Sequence, residues 1–452
     1  MLACGHDRKP FGVPLCGHLR VCREPWLSYL RWYTGSGMDT ELLCKSCVAE
    51  RQEGRPFTTE IVCQECFEYA TTEIGDLGGV GGKPEIRIRS EPFNPQLQST
   101  DLPKEAGKIV DISPMVTEGR SIWLLLSEDN RITQFDAGTG EWKRLALASL
   151  ASEPDHKPWC GRILKRRLYN SPCGHFAAIV HDYGRYGQVI DLRSGQVTLA
   201  LDGGAYHAET VPFSFAFAQV AGRVIAIHRT AWNRLDVSDP STGALLTARG
   251  PTSYQRGEER PIHYLDYFHG ALSVSPNGVR IADDGWVWHP VGIPTTWSLE
   301  PWISGNVWES EDGPTRKPIC ARDYYWDHAL TWLDDHRIAL GGIGDDDQEM
   351  IDGARIFDIS ASGSGDVRWR ADWPWPRQLT AFAGPAGAFF SEGQRLFSSD
   401  QNGLSRWDIN DGSRTGYLQG FKPTHHHRGS RELVQVVDDA LVRWKIDNGE
   451  SL

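Results

Sequence analysis

From about residue 85 onward, short apolar runs alternate with turns rich in Gly, Asp and Ser, which predicts many short β-strands rather than helices. One unit recurs: a strand ending in an apolar residue and Asp, a Gly-containing turn, then another strand. It reads ITQFDAGTGEWKRL from 132, QVIDLRSGQVTLAL from 188, RLDVSDPSTGALLTA from 234, RIFDISASGSGDVRW from 355 and LSRWDINDGSRTGYL from 404. WVWHPVGIPTTWSL from 286 reads as a degenerate copy and LVRWKIDNGESL from 441 as a truncated one, seven in all.

Between these hairpins lies a second turn signature, in YNSPCGHFAAIV from 169, LSVSPNGVRIAD from 272 and FFSEGQRLFSSD from 389. In Ser-Pro-x-Gly, proline fixes φ and glycine supplies a positive φ, so each unit becomes four antiparallel strands. FSEGQRLFSSDQNGLSRWDINDGSRTGYLQG, with Trp407-Asp408 at the end of its third strand, resembles a WD40-like β-propeller repeat. The resemblance implies a mainly β fold over residues 85–452, a propeller of seven four-stranded blades. Because the last unit stops after its third strand, at Val442 to Ile446, one strand is missing. The alternating segment EIRIRSEPF, 85–93, is expected to supply it and close the ring.

Residues 1–74 have a different character. They are Cys/His-rich, and Pro25, Trp26, Leu27, Leu30 and Tyr33 predict a short helix with an apolar stripe. GDLGGVGGKP, 75–84, reads as a flexible linker between this module and the propeller.

Composition agrees with that division. Eighteen Trp and 47 Gly against four Met suit strands and turns. A net charge of -12 lacks the basic stripe that nucleic-acid binding needs, so nucleic acid is not expected as a partner. No long apolar run predicts a membrane span or a signal peptide, which points to a cytoplasmic protein. In a reducing compartment, seven of ten cysteines within the first 66 residues read as metal ligands rather than disulfides.

The candidate ligands are Cys4, His6, Cys16, His18, Cys22, Cys44, Cys47, Cys63 and Cys66. Two tetrahedral zinc ions need eight, leaving one over. CKSC and CQEC carry most weight, since two thiolates spaced this way reach one ion from a tight knuckle. Thiolate dominance predicts closed structural sites, whose binding energy staples a module poor in apolar residues. The order of the pairs, and PLCGHLRVCREPW in particular, resembles a RING-type or treble-clef zinc module. A RING cross-brace implies one ion on Cys4, His6, Cys44 and Cys47 and another on Cys16, His18, Cys63 and Cys66. Cys22 is then spare, or stands in for one of the histidines. Pro25 and Phe67 occupy positions where the family carries a cysteine and often a basic residue.

Other features read blandly. His425, His426 and His427 suit a solvated loop; GDDDQEMID, 344–352, lacks EF-hand spacing and suits an acidic loop. Cys160, Cys173 and Cys320, like Trp297, Trp302, Trp308, Trp373 and Trp375, suit packing. No nucleophile elbow, phosphate-binding loop or HExxH helix is present. The expected function is therefore a non-enzymatic interaction scaffold whose propeller face recruits a protein partner, with the zinc module as a second contact. Two alternatives stand beside it: a RING-like ligase, and a propeller enzyme with its site at the channel mouth.

Overall fold

The computed structural model describes residues 4–6, 10, 13–21, 29–33, 40–56, 58–67, 76–79, 85–116, 119–154, 158–254, 257–344, 346–363 and 373–446. Seven of its eight sheets follow one another along the chain from Leu97 to Lys445 and are the blades of a propeller. Blade 1, for example, comprises Ile109–Pro114, Ile122–Ser127, Arg131–Asp136 and Trp142–Leu147, each strand antiparallel to the next. The first strands of neighbouring blades lie against one another and so surround the central axis.

Two local signals explain why the chain folds this way. Asp136, Asp191, Asp239 and Asp408 each accept a backbone N–H two residues on, and each carbonyl accepts from a glycine four residues on. Those glycines, Gly140, Gly195, Gly243 and Gly412, sit at φ of 72 to 77°, where a side chain is strained. The recurrent Asp…Gly spacing is thus the turn that leaves a blade's third strand. Ser171 and Ser275 set the turn from first to second strand by accepting the N–H of Phe176 and Arg280.

Apolar residues from adjacent blades form shared clusters, such as Leu124, Leu126, Leu168, Ile179 and Ile190 between blades 1 and 2. Trp407, buried in the third strand of blade 6, donates its indole N–H to Ser398 on the second at 2.9 Å.

Five blades are four-stranded, as expected; two depart from that count. Blade 3 has three strands among the described residues, followed only by a bridge from Ser238 to Leu245. Blade 4 has six, because its outer two strands are each broken in two. The stretch from 286 is consequently the turn from second to third strand, not a degenerate third-to-fourth hairpin. The helices Leu299–Ser304 and Glu309–Asp312 are inserted in blade 4, and Leu299 and Trp302 pack with Leu235 and Val237 of blade 3.

Closure uses different residues from those expected. Leu97–Asp101 pairs antiparallel with Ala440–Lys445 and supplies the fourth strand of blade 7. EIRIRSEPF instead runs along the outer edge of blade 6, where Ile88 bridges Arg414 in parallel. Arg89 anchors it through Asp408 at 2.7 Å and Asp411 at 2.5 Å. Its alternation is that of an edge strap, one step before the true closing strand. The three histidines are also no loop: His425–His427 is the first strand of blade 7.

The eighth sheet belongs to the N-terminal module, with strands β1 (Leu15–Cys16), β2 (Tyr29–Tyr33), β3 (Thr40–Cys44), β4 (Thr59–Glu60) and β5 (Asp76–Gly79) in the order β4-β1-β3-β2-β5. Helices α1 (Gly17–Val21) and α2 (Lys45–Gln52) follow β1 and β3 directly. Two expectations change here. Residues 29–33 form a strand rather than a helix, since YLRWY pairs with TELLC and aromatic residues favour a pleated surface. Asp76–Gly79 pairs in parallel with β2, so part of the stretch read as linker belongs to the sheet. No helix among the described residues is long and apolar enough to cross a membrane.

Candidate functional site: two Cys/His clusters and an aromatic face

Each of β1 and β3 ends on a cysteine and passes straight into a helix. Their parallel pairing, Leu15 opposite Leu42, sets Cys16 beside Cys44, and the Cys44 N–H points to Cys16 Sγ at 3.4 Å. The helical turn that follows each strand then brings His18 and Cys47 to the same point. His18 Nδ1 lies 3.2 Å from Cys47 Sγ and 3.8 Å from Cys44 Sγ.

The other cluster joins Cys4 and His6, on a turn made by Gly5 at φ 73°, to Cys63 and Cys66, on the helical turn at 64–67. His6 Nδ1 is 3.5 Å from Cys63 Sγ and 3.3 Å from Cys66 Sγ. In each cluster the four ligand atoms all lie within 4.8 Å of one another. A tetrahedral ion bound at ordinary Zn–S and Zn–N lengths would separate its S and N ligands by about 3.6 Å. Both clusters are geometrically suited to a metal ion, and no disulfide competes for the described cysteines.

The grouping is nested, not cross-braced. The first ligand pair joins the fourth and the second joins the third, whereas the RING resemblance implies first with third and second with fourth. The reason is the strand pairing: once β1 lies beside β3, Cys16 and Cys44 have to share a centre. Cys22 lies outside the described residues.

Electrostatics point the same way. Burial pushes the Cys16 and Cys47 thiols up, helped by the neighbouring thiolates. Burial and Cys63 raise Cys66 to about 11, while backbone hydrogen bonds from Cys63 and His6 bring Cys4 down to about 7. Crowded thiolates repel one another until a cation sits among them.

On the propeller, the histidine strand places its side chains among charges of neighbouring blades. His425 Nε2 lies 3.2 Å from Asp111, whose other oxygen accepts the Leu168 N–H, and Arg167 pairs with Asp182 at 2.6 Å. His425 and Asp111 thus form one pair and Arg167 and Asp182 another, with Asp182 Oδ1 buried and without a hydrogen-bond partner among the described residues.

The feature that sequence reasoning missed lies on one face. Turns from second to third strand and connections between blades leave the sheets at the same end, and along blades 2 to 4 they bring together Tyr206, His207, Trp232, Phe268, Trp286, Trp288 and Trp326. Phe268 stacks on Trp286 at 4.3 Å between centroids, and Trp286 on Trp326 at 4.7 Å. Trp232 meets Phe268 at 4.6 Å, and His207 stands edge-on between Tyr206 and Trp288 at 4.6 and 5.4 Å. The lower rings are buried, but Tyr206 is 50% exposed and Trp288 39%. His207 holds a left-handed φ of 48°, and His289, beside Trp288, a φ of 123°. The single sign of this face in the sequence was the aromatic content of its connections. The tryptophans singled out there lie elsewhere: Trp297, Trp302 and Trp375 are buried packing residues, and Trp308 stacks on His263. Cys320 is likewise buried, Cys173 is exposed in its turn, and the Cys160 side chain lies outside those described.

Fold and site together define a seven-bladed β-propeller carrying a small module with two metal-type Cys/His clusters. No family model and no curated relative matches the chain. A chain of the solved structure described as "Crystal Structure of Mitotic Checkpoint Complex" is similar to it at 11% identity and a TM-score of 0.45, over 81% of this chain and 98% of that one. At that distance the likeness carries nothing beyond what the chain's own sheets establish.

Proposed function

We propose that this protein is a non-enzymatic interaction scaffold. The propeller recruits a protein partner through the face bearing Tyr206, Trp232 and Trp288, and the N-terminal module, with zinc in both clusters, offers a second contact. The observation that carries this reading is the aromatic face itself. A contiguous set of rings, stacked from the core outward and left half-exposed, has the composition of an interface centre, because tyrosine and tryptophan offer large apolar area with few torsions to freeze. Three thiolates and one imidazole per centre suit zinc in a closed tetrahedral site, whose role is to hold the module folded. Cysteines kept as thiols fit a cytosolic setting.

The test compares partners co-purified with the full chain, with Tyr206→Ala/Trp288→Ala, and with Trp142→Ala, which truncates an exposed tryptophan on the outer strand of blade 1. The main partner, quantified by mass spectrometry, is expected to be lost from the double variant and kept by the Trp142 variant. Equal retention by all three chains would sink the reading. Capture of a ubiquitin-conjugating enzyme that depends on Cys63 and Cys66 would favour a ligase instead.

A further inference from the structure

We infer that the two metal centres are not equivalent: the inner one, Cys16–His18–Cys44–Cys47, fills first and holds its ion, and the outer one, Cys4–His6–Cys63–Cys66, is the centre that exchanges it. This rests on the reading that both clusters bind zinc and adds a hierarchy between them.

Three observations carry it. First, the clusters are nested along the chain, every ligand of the inner centre lying between the ligand pairs of the outer one. Interleaved pairs would oblige both centres to form together; nested pairs let the inner centre form alone.

Second, the frameworks differ. The inner ligands end two hydrogen-bonded parallel strands and begin the helices after them, within a core of Leu15, Leu19, Leu42, Leu43 and Val48. The outer ligands sit on two turns at the edge of that core, reached by Cys4, Val62 and Cys66, and among the described residues the ladder contact between these turns is the single bridge from Pro10 to Cys63.

Third, access differs. Cys16, Cys44 and Cys47 are buried, and only His18 is exposed; in the outer centre Cys63 alone is buried, and Ile61 beside it is exposed.

Loop closure couples the two centres. With the inner centre formed, the segment that must close to join His6 to Cys63 is shortened by nearly half, which favours the outer centre by about 2.5-fold from chain entropy alone. The coupling is reciprocal, so each ion strengthens the other by the same factor, and the order of filling follows from the better-organised inner ligands. Losing the outer ion therefore frees the first residues of the chain while strands β1 and β3 stay joined. That makes the outer centre the point at which zinc supply acts on the module.

The experiment is a chelator titration of the zinc-loaded full chain, reading released zinc with a chromogenic chelator and the remaining site by cobalt substitution, whose absorption bands report tetrahedral thiolate ligation. The wild-type chain is expected to release its two ions in separate steps, the outer before the inner, despite the about 2.5-fold by which loop closure draws the two midpoints together. Cys63→Ser/Cys66→Ser should retain one ion, its release midpoint within about threefold of the tighter wild-type step. Cys16→Ser/Cys44→Ser should weaken the remaining centre by at least about 2.5-fold. Release of both ions in one step, or loss of both from the Cys63/Cys66 variant, would overturn the hierarchy. The wild-type profile decides this even where a variant fails to fold, and a wild-type chain that binds no zinc refutes the metal reading itself rather than the order.

Discussion

Removing the Glu311 carboxylate tests how the blade 4 insertion is tied to blade 3. Arg249, with 1% of its side chain exposed, reaches Asp236 at 2.6 Å with one terminal nitrogen and Glu311 at 2.5 Å with the other. Glu311 is wholly buried, and Arg249 also donates to the Leu235 carbonyl at 2.6 Å. Burial pushes the Asp236 carboxyl up, but hydrogen bonds from Arg234 and Thr230 and the Arg249 charge outweigh it and hold it low. Glu311→Ala leaves the guanidinium with one carboxylate, and the nitrogen that faced Glu311 keeps only the Leu235 carbonyl as acceptor. Breaking a buried pair from one side costs about 3–5 kcal/mol, and because Asp236 remains, the lower end, about 3 kcal/mol, is expected. For a propeller of this size that lowers the melting temperature by about 4 °C. The assay is urea unfolding followed by tryptophan fluorescence, with the double variant Arg249→Met/Glu311→Leu alongside. That pair removes both charges together and is expected to cost clearly less than the sum of its single variants. A loss under about 1 kcal/mol for Glu311→Ala would refute the reasoning, since the insertion would then not depend on this network.

Four further outcomes follow from the same structure. Gly412→Ala should cost more than Gly140→Ala: both have a left-handed φ worth about 1–2 kcal/mol of strain, but only at 412 would the new methyl meet Phe382, at 2.4 Å, and equal melting shifts would contradict this. Burial holds His228 neutral down to about 4 and His328 down to about 3, so the unfolded chain takes up protons first as pH falls below about 6.5. Stability is thus full above that pH and declines towards the folded values, and a urea midpoint unchanged between pH 7.5 and 5 would count against it. A chain beginning at residue 103 lacks Leu97–Asp101 and exposes the edge of Ala440–Lys445; size-exclusion chromatography should show self-association, which a monomeric profile would contradict. Chelation should abolish the dispersed amide resonances of the N-terminal module while the propeller's remain, and their persistence without metal would mean that the core around Leu15 and Leu43 suffices.

What the sequence determined by itself is what short range determines. The Asp…Gly turns of the blades are legible because one aspartate and one glycine four residues apart close them, whatever surrounds them. Eight of the metal-type ligands are legible because each pair sits on a single turn of backbone. Tertiary structure decided everything that depends on which strand lies beside which. The pairing of Leu15 with Leu42 chose nested over crossed centres, and the register of Leu97 against Trp444 chose the closing strand over the equally alternating 85–93. Arg249 found Glu311 across 62 residues, through a connection with no periodicity to announce it. Rings at 206, 232, 268, 288 and 326 became one face only because antiparallel strands return their connections to the same end of the ring. Local spacing fixes turns and ligand pairs because their energies are local; pairing, closure and surface are set by packing between segments far apart in the chain, which no short stretch encodes.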